Sequence, residues 1–484
     1  MSCAISPLHQ AAKRWPHQVA VQYWDAASAS YQPISYQQLS QQVLSVAQQL
    51  SQQGLTLNSR LMVTDDNSLE QIILYWACVE IGVLFCPISA KFPAQQVTDL
   101  ANIYHYQYCW TSLKYQSLRP KNSTAVDIDL SADNGSAAND AGQFDWQRGS
   151  NVILTSGSSG TPKGVVHCMD NHVASARGSA QLIDLSIGDA WLLSLPLFHI
   201  GGLAIVNRCA VAGAAVVLPI PTASLAEQLQ AVSLSHLSLV AAQLIKLLAD
   251  NPQQVKSLKA LPLGGGAVAT SLTQQLKQLG CSAYTSYGMT EMSSQITTGD
   301  ANLHGSGELL SYRQLKLVEQ RIYVKGETLF KGYLYPQGNA EGHQGWYCPV
   351  DTEGWFDTQD RGEWLNNGQL HILGRSDNMF ICGGENIQPE EIEQALCCHP
   401  LIDDAIVYPI EDDRFGWLPA AIVKGPIAAS GIEQSQLDQF LQAKIARFKR
   451  PRHYSPWPNV PQTGLKISRK AIIAAVLASP PAAK

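Results

Sequence analysis

Residues 153–166 read ILTSGSSGTPKGVV. Thr155, Ser156, Gly157, Ser158, Ser159, Gly160 and Thr161 interleave small hydroxyl side chains with glycine, and Pro162 and Lys163 follow directly. Glycine lets a backbone curl around something small, and the hydroxyls and main-chain amides of such a curl donate hydrogen bonds inward. The fitting guest is a phosphate, with Lys163 as a mobile cation over it. A Walker A loop needs glycine directly before its lysine and Ser or Thr directly after. Lys163 lies between Pro162 and Gly164, so that class is disfavoured, and the glycine spacing also misses the dinucleotide fingerprint. Taken by itself the stretch also admits the plainer reading of a flexible surface linker.

Other stretches carry compatible chemistry. SYGMTEMSS offers Tyr287, a flat face for a purine, Thr290, a hydroxyl for a phosphate, and Glu291, a hard oxygen ligand for Mg2+. The plain alternative is a strand end with a helix cap. In GWFDTQDRGEW, Asp360 is either a carboxylate accepting from two neighbouring hydroxyls or a turn aspartate. GRSD sets the permanently charged fork of Arg375 beside Asp377, as a nucleotide contact or as a surface ion pair. Lys466, in GLKISRK, belongs to a residue type that is mostly just solvated.

Together with GRSDNMFICGGENIQPEEIE, these stretches resemble, in the same order, the motifs of the acyl-adenylate-forming superfamily of acyl-CoA synthetases, luciferases and peptide-synthetase adenylation domains. The resemblance implies an ATP-dependent enzyme that activates a small-molecule carboxylate as its adenylate and passes the acyl group to a thiol, coenzyme A. It further implies that the loop from Ser156 to Lys163 encloses pyrophosphate, that Tyr287 stacks on adenine and Thr290 contacts the α-phosphate, and that Glu291 shares Mg2+ with Thr155. Gly264, Gly265 and Gly266 would form a bare wall against adenine and the acyl group, and Asp360 would hold the ribose hydroxyls. Arg375 would reach the nucleotide, Lys466 would reach in from a small domain during adenylation, and Asp377 would be the hinge about which that domain swings. Two positions depart from the family: Gln359 and Leu465 stand where glycine is usual.

WLLSLPLFHIGGLAI places His199 at the end of an apolar strand where the family's acyl pocket begins, although a buried structural histidine reads equally well. The aspartate that grips an amine in amino-acid-activating relatives has no counterpart in this stretch. LPLFHIGG, HLSLVAAQL and KISRK look most like the o-succinylbenzoate:CoA ligase branch, which implies a step of menaquinone biosynthesis. A second carboxylate on such a substrate must be satisfied if buried; Arg208 and Ser293 are the candidates. Another acyl- or aryl-CoA ligase, or a non-catalytic nucleotide-binding protein, are the competing readings.

These residues need a scaffold. YQQLSQQVLSVAQQLSQQG puts Leu39, Val43, Val46, Ala47 and Leu50 on one helical face and stops at Gly54, and the strand RLMVT follows. IILYWACVEIGVLFCPI, broken by Glu80, Gly82 and Pro87, reads as a buried helix followed by a strand. The alternation recurs, the rhythm of an α/β fold with parallel strands. The expectation is a large N-terminal domain of layered α/β sheets over residues 1–376, with a β-rich subdomain over roughly 305–376, and a small mobile α+β C-terminal domain over 377–484. The polar stretch around residues 131–142 reads as an exposed loop.

Bulk properties narrow the partners. A length of 484 residues asks for more than one domain, and a formal net charge of −6 with no basic run leaves no footprint for nucleic acid or an anionic membrane. Eleven scattered cysteines form no metal-ligand spacing and fit a reducing, cytoplasmic setting, and no segment suits membrane insertion.

Overall fold

The computed structural model describes residues 5–131, 144–155, 162–266, 268–336, 345–382, 385–412, 416–429, 434–442, 444–460 and 468–478. Nearly all of the polar stretch expected as a loop around 131–142 lies outside the described residues.

Helix Tyr36–Gln52 starts at a capping box: the Ser35 hydroxyl accepts from Gln38 N, and Ser35 N donates to Gln38 Oε1. Its expected face is buried, and the chain leaves through Gly54 at a φ of +90°. Helix Leu69–Ile81 is buried on nearly all sides and stops at Gly82, which takes the left-handed conformation that glycine adopts without strain, before strand Leu84–Ile88.

Those strands belong to an eight-stranded sheet with the order Trp346–Tyr347, Gly332–Leu334, Lys163–Cys168, Gly149–Thr155, Leu84–Ile88, Arg60–Thr64, Tyr108–Thr111, Thr124–Ala125. It is parallel from Gly149–Thr155 to Thr124–Ala125 and antiparallel on the other side. A five-stranded sheet of His236–Leu237, Ala190–Leu192, Ala215–Val217, Val19–Asp25 and Ser30–Ser35 faces it across a helical layer. Tyr36, Leu50, Trp76, Phe85 and Trp191 belong to the continuous core of that layer.

A four-stranded sheet of Leu261–Leu263, Ala283–Met289, Ser294–Asp300 and Glu308–Leu309 follows, and then one of Arg313–Val318, Arg321–Gly326, Phe356–Trp364 and Leu370–Arg375. The latter is the expected β-rich body, and Asn367 and Gly368 make its tight turn, with Gly368 at a φ of +79°. One expectation needs correction. The stretch 305–376 is not a single body, because Gly332–Leu334 and Trp346–Tyr347 return to extend the eight-stranded sheet. Their two or three residues are too short for any periodicity to reveal a partner.

Beyond Phe380 the chain builds its own core from Ile387, Ile392, Leu396, Val407, Val423, Leu437 and Leu441, around strands Asp404–Asp412, Gly416–Lys424 and His453–Pro456. Helix Pro389–Cys397 opens with proline and two glutamates in its first turn. The protein thus has a large N-terminal α/β domain and a smaller C-terminal α+β domain.

Gln359, the residue standing where glycine is usual, has a φ of +64°. Its backbone N–H donates to Asp357 Oδ1 at 3.0 Å, and its Oε1 accepts from Arg321 Nη2 at 2.6 Å. Arg321 is itself paired with Asp357 at 2.7 Å. A left-handed non-glycine residue is strained by roughly 1–2 kcal/mol; a half-exposed hydrogen bond returns about 0.5–1.5 kcal/mol. The two nearly cancel, so Gln359→Gly is expected to change the unfolding free energy by less than about 1 kcal/mol. Gln359→Val keeps the strain, adds a branched side chain and loses the bond, and is expected to destabilise by about 2 kcal/mol. Urea unfolding of both variants checks the pair.

Candidate functional site

Strand Leu261–Leu263 runs parallel to Ala283–Met289, and ligand crevices in such sheets open at the carboxyl ends of the strands. There Gly264, Gly265 and Gly266 leave the first strand while Tyr287 lies two residues before the end of the second. Gly265 has a φ of +85°, and a Cβ on Gly264 would lie 3.1 Å from Ser286 Oγ; Gly266 faces open space. Bare backbone therefore lies close to the Tyr287 strand.

The Tyr287 hydroxyl donates to Asp360 Oδ2 at 2.6 Å. Asp360 sits opposite Arg375 in a β-ladder, with Arg375 Nη1 at 3.4 Å from Asp360 Oδ1. Arg375 also holds both oxygens of Asp377, from Nε at 3.0 Å and Nη2 at 3.1 Å. Burial pushes the Asp360 carboxyl above its ordinary range, and Tyr287 and Arg375 pull it back. The structure thus brings Tyr287, Asp360, Arg375 and Asp377 into one hydrogen-bonded run. The ion pair expected as a plain alternative is present, and it is continuous with Asp360.

On the acyl side, strand Ala190–Leu192 ends at Leu192, and His199 is instead the N-cap residue of helix Ile200–Ala212, its ring 4.6 Å from that of Phe198. Arg208, in the same helix, is buried at 6 % exposure. Its Nη2 donates to Gln295 Oε1 at 2.8 Å, and its guanidinium lies 5.5 Å from the Trp191 ring centre. Ser293 requires correction as a carboxylate receptor. It is fully buried, its only hydroxyl proton goes to Thr328 O at 2.9 Å, and its φ of +53° closes the turn after Glu291. Its place is structural.

On the phosphate side, Thr155 ends strand Gly149–Thr155 and pairs with Lys163, its hydroxyl 3.4 Å from Lys163 O. Ser156, Gly157, Ser158, Ser159, Gly160 and Thr161 lie outside the described residues, as does Lys466. Lys163 stands with Nζ 4.8 Å from the centre of the Tyr333 ring, and the Tyr333 hydroxyl donates to Glu291 Oε1 at 2.7 Å. Burial, then the Glu291 charge, pushes the Tyr333 hydroxyl far above its ordinary range, so it stays a donor. Sequence reading missed Tyr333, because its role follows from the return of Gly332–Leu334 to the large sheet. Glu291 and Thr155 are hard oxygen donors joined through Lys163 and Tyr333. Among the described residues no three His, Cys, Asp or Glu side chains cluster as a metal cage. That donor set fits Mg2+, which normally takes one or two carboxylates and completes its shell with phosphate and water.

The main chain of Thr290 has its own support. Thr290 O lies 2.7 Å from His167 Nε2, His167 Nδ1 lies 3.1 Å from Asn151 Nδ2, and Asn151 Oδ1 lies 2.7 Å from His172 Nε2. A carbonyl only accepts, so His167 Nε2 carries its proton, Nδ1 accepts from the Asn151 amide, and His172 donates to Asn151 Oδ1. Both rings are neutral: burial pulls His167 from 6.5 down to about 4, and His172 falls well below its ordinary value. As pH falls from 6.5 towards about 4, the unfolded chain takes up protons that the folded one refuses, so stability present above that window is lost within it. His167→Gln keeps a donor for Thr290 O and cannot titrate. Urea midpoints at neutral and acidic pH are expected to fall for the wild type and to fall less for this variant.

Comparison with known proteins bears on the family and the fold. The model of the AMP-binding enzyme family matches residues 8–334, and that of the AMP-binding enzyme C-terminal domain matches residues 391–466. The chain is 34 % identical to the 2-succinylbenzoate--CoA ligase of Haemophilus influenzae, over 87 % of this chain and 88 % of that protein, and 32 % identical to the one of Escherichia coli, over 91 % and 92 %. It resembles the solved structure of wild-type E. coli MenE with a bound phenylether-linked analogue of OSB-AMS, with a TM-score of 0.81 and 29 % identity, over 99 % of this chain and 100 % of that one. It also resembles the o-succinylbenzoate coenzyme A synthetase (MenE) of Bacillus subtilis in complex with ATP and magnesium ion, with a TM-score of 0.82 and 25 % identity over 97 % and 99 %. The chain belongs to the AMP-binding enzyme family.

Proposed function

We propose that this protein is an AMP-forming acid–thiol ligase that converts 2-succinylbenzoate and coenzyme A, with ATP, to 2-succinylbenzoyl-CoA, AMP and pyrophosphate. The observation that carries the reaction class is the run Tyr287–Asp360–Arg375 beside the bare backbone of Gly264 and Gly265, a purine-and-ribose crevice with a cation at its rim. The names of the relatives supply the acid. The buried guanidinium of Arg208 supports it, since a second carboxylate needs a cation in a buried pocket.

A carboxylate is a poor acyl donor because oxide would have to leave. One of its oxygens attacks the α-phosphorus of ATP, the bond to the β-phosphate breaks, and pyrophosphate departs with the charge. The CoA thiolate then attacks the acyl carbon and AMP leaves. Asp360 orients the ribose, Tyr287 the adenine, and Thr290 the α-phosphate, while the loop from Ser156 to Lys163 encloses pyrophosphate. Mg2+ between Glu291 and Thr155 would neutralise part of the phosphate charge. Lys466 and Arg375 place fixed cations where negative charge develops. A domain of residues 377–484 turning about Asp377 withdraws Lys466 for the second half-reaction and brings FICGGEN to the thiol. No helix among the described residues is long and apolar enough to cross a membrane, and we place the enzyme in the cytoplasm.

CoA-dependent AMP formation, measured with 2-succinylbenzoate beside benzoate and medium-chain fatty acids, is expected with the first alone. Turnover of fatty acids only would overturn the acid and keep the reaction class. Nucleotide binding without carboxylate-dependent pyrophosphate release would overturn both. Lys466→Ala is expected to slow adenylation roughly a hundredfold or more and to retain thioester formation from supplied acyl-adenylate; equal loss in both halves contradicts the two-orientation scheme.

A further inference from the structure

Two arginines are buried side by side between helix Ile200–Ala212 and strand Ser294–Asp300, Arg208 at 6 % and Arg313 at 5 % exposure. Both meet one residue: Arg208 Nη2 donates to the Gln295 side chain at 2.8 Å, and Arg313 Nε donates to the Gln295 main-chain carbonyl at 2.6 Å. Among the described residues neither guanidinium has a carboxylate oxygen within 4.0 Å. Arg313 has a partner at every guanidinium nitrogen, Nη1 donating to Ser311 O at 2.7 Å and Nη2 to Ser175 Oγ at 3.2 Å. Arg208 does not: its Nε is buried without a hydrogen-bond partner. Burial pulls Arg208 down to about 10 and Arg313 to about 9, the latter helped by the Arg208 charge.

Burying an unpaired charge is strongly unfavourable, and two like charges sharing one amide make it more so. The relief nearest to hand would be an acid at position 295, which is isosteric with glutamine and already within hydrogen-bond reach. We propose that Gln295 is a positioning residue for substrate choice: its neutral amide aims Arg208 while leaving it without a protein counter-ion, so that the distal carboxylate of a dicarboxylic substrate supplies the missing charge. Arg313 fixes the Gln295 main chain and adds positive potential beside Arg208. This rests on the ligase reading above and deepens it.

The test compares wild type, Gln295→Glu and Gln295→Met with 2-succinylbenzoate and with its ester at the distal carboxylate. Pyrophosphate release and the thermal midpoint are both followed. In the wild type the ester is expected to raise KM at least about thirtyfold. In Gln295→Glu the new carboxylate pairs with Arg208. The thermal midpoint is then expected to hold or rise, KM for the acid to rise at least about thirtyfold, KM for ATP to stay unchanged, and the preference for acid over ester to vanish. Gln295→Met, neutral but unable to aim Arg208, is expected to raise KM for the acid less and to keep the preference. An acid-over-ester ratio in Gln295→Glu equal to that of the wild type overturns the inference while leaving the ligase reading intact. A wild type that turns over a different dicarboxylic acid overturns only the acid's identity, and the same acid-and-ester comparison is then run with that acid. A wild type that turns over monocarboxylic acids only overturns both.

Discussion

The Asp360 carboxylate holds together the crevice proposed to take the nucleotide. Its burial works against its own charge, so it needs two donors, and they come from different sheets: Tyr287 from the strand beside the glycine turn, Arg375 from the ladder of the β-rich body. Through it the strand beside the glycine turn is tied to the ladder of the β-rich body. Gln359 matters for the same reason. Its left-handed backbone, pinned by Arg321 and Asp357, sets the direction in which the next residue enters the ladder.

A second constraint lies in one turn. A Cβ on Gly288 would fall 2.1 Å from Ser294 O, and Ser293 and Ser294 both have positive φ, so the chain doubles back tightly between them. On one side of the turn Glu291 meets Tyr333; on the other Gln295 meets Arg208. Glu291 and Gln295 are therefore set four positions apart by the same strained backbone. His167 holds the turn from behind through Thr290 O.

Local features were legible in the sequence because they obey local rules. The buried face of Tyr36–Gln52, the buried helix Leu69–Ile81 with its glycine stop, the turn at Asn367 and Gly368, and the proline opening of Pro389–Cys397 all follow from neighbours within a few residues. Tyr287, Asp360, Arg375 and Asp377 were legible as individual residues, but their linkage was not, since it depends on how two sheets pack. Tyr333, the His167–Asn151–His172 relay and Gln295 gave no signal at all. Each is an ordinary residue in a short strand or buried helix whose partner lies many residues away, and only tertiary pairing gives it a task. Ser293 misled because a serine near a site reads the same in sequence whether its proton faces a ligand or a carbonyl.

The excursion of Gly332–Leu334 and Trp346–Tyr347 into the large sheet has a mechanical side. The chain leaves the four-stranded β-body after Gly326, is stitched into the edge of the eight-stranded sheet, and comes back at Phe356. The body is thereby basted to its neighbour midway along its own thread. A rotation of the C-terminal core, as proposed above, would have its axle downstream of Arg375 and would leave Asp360 on the stationary side.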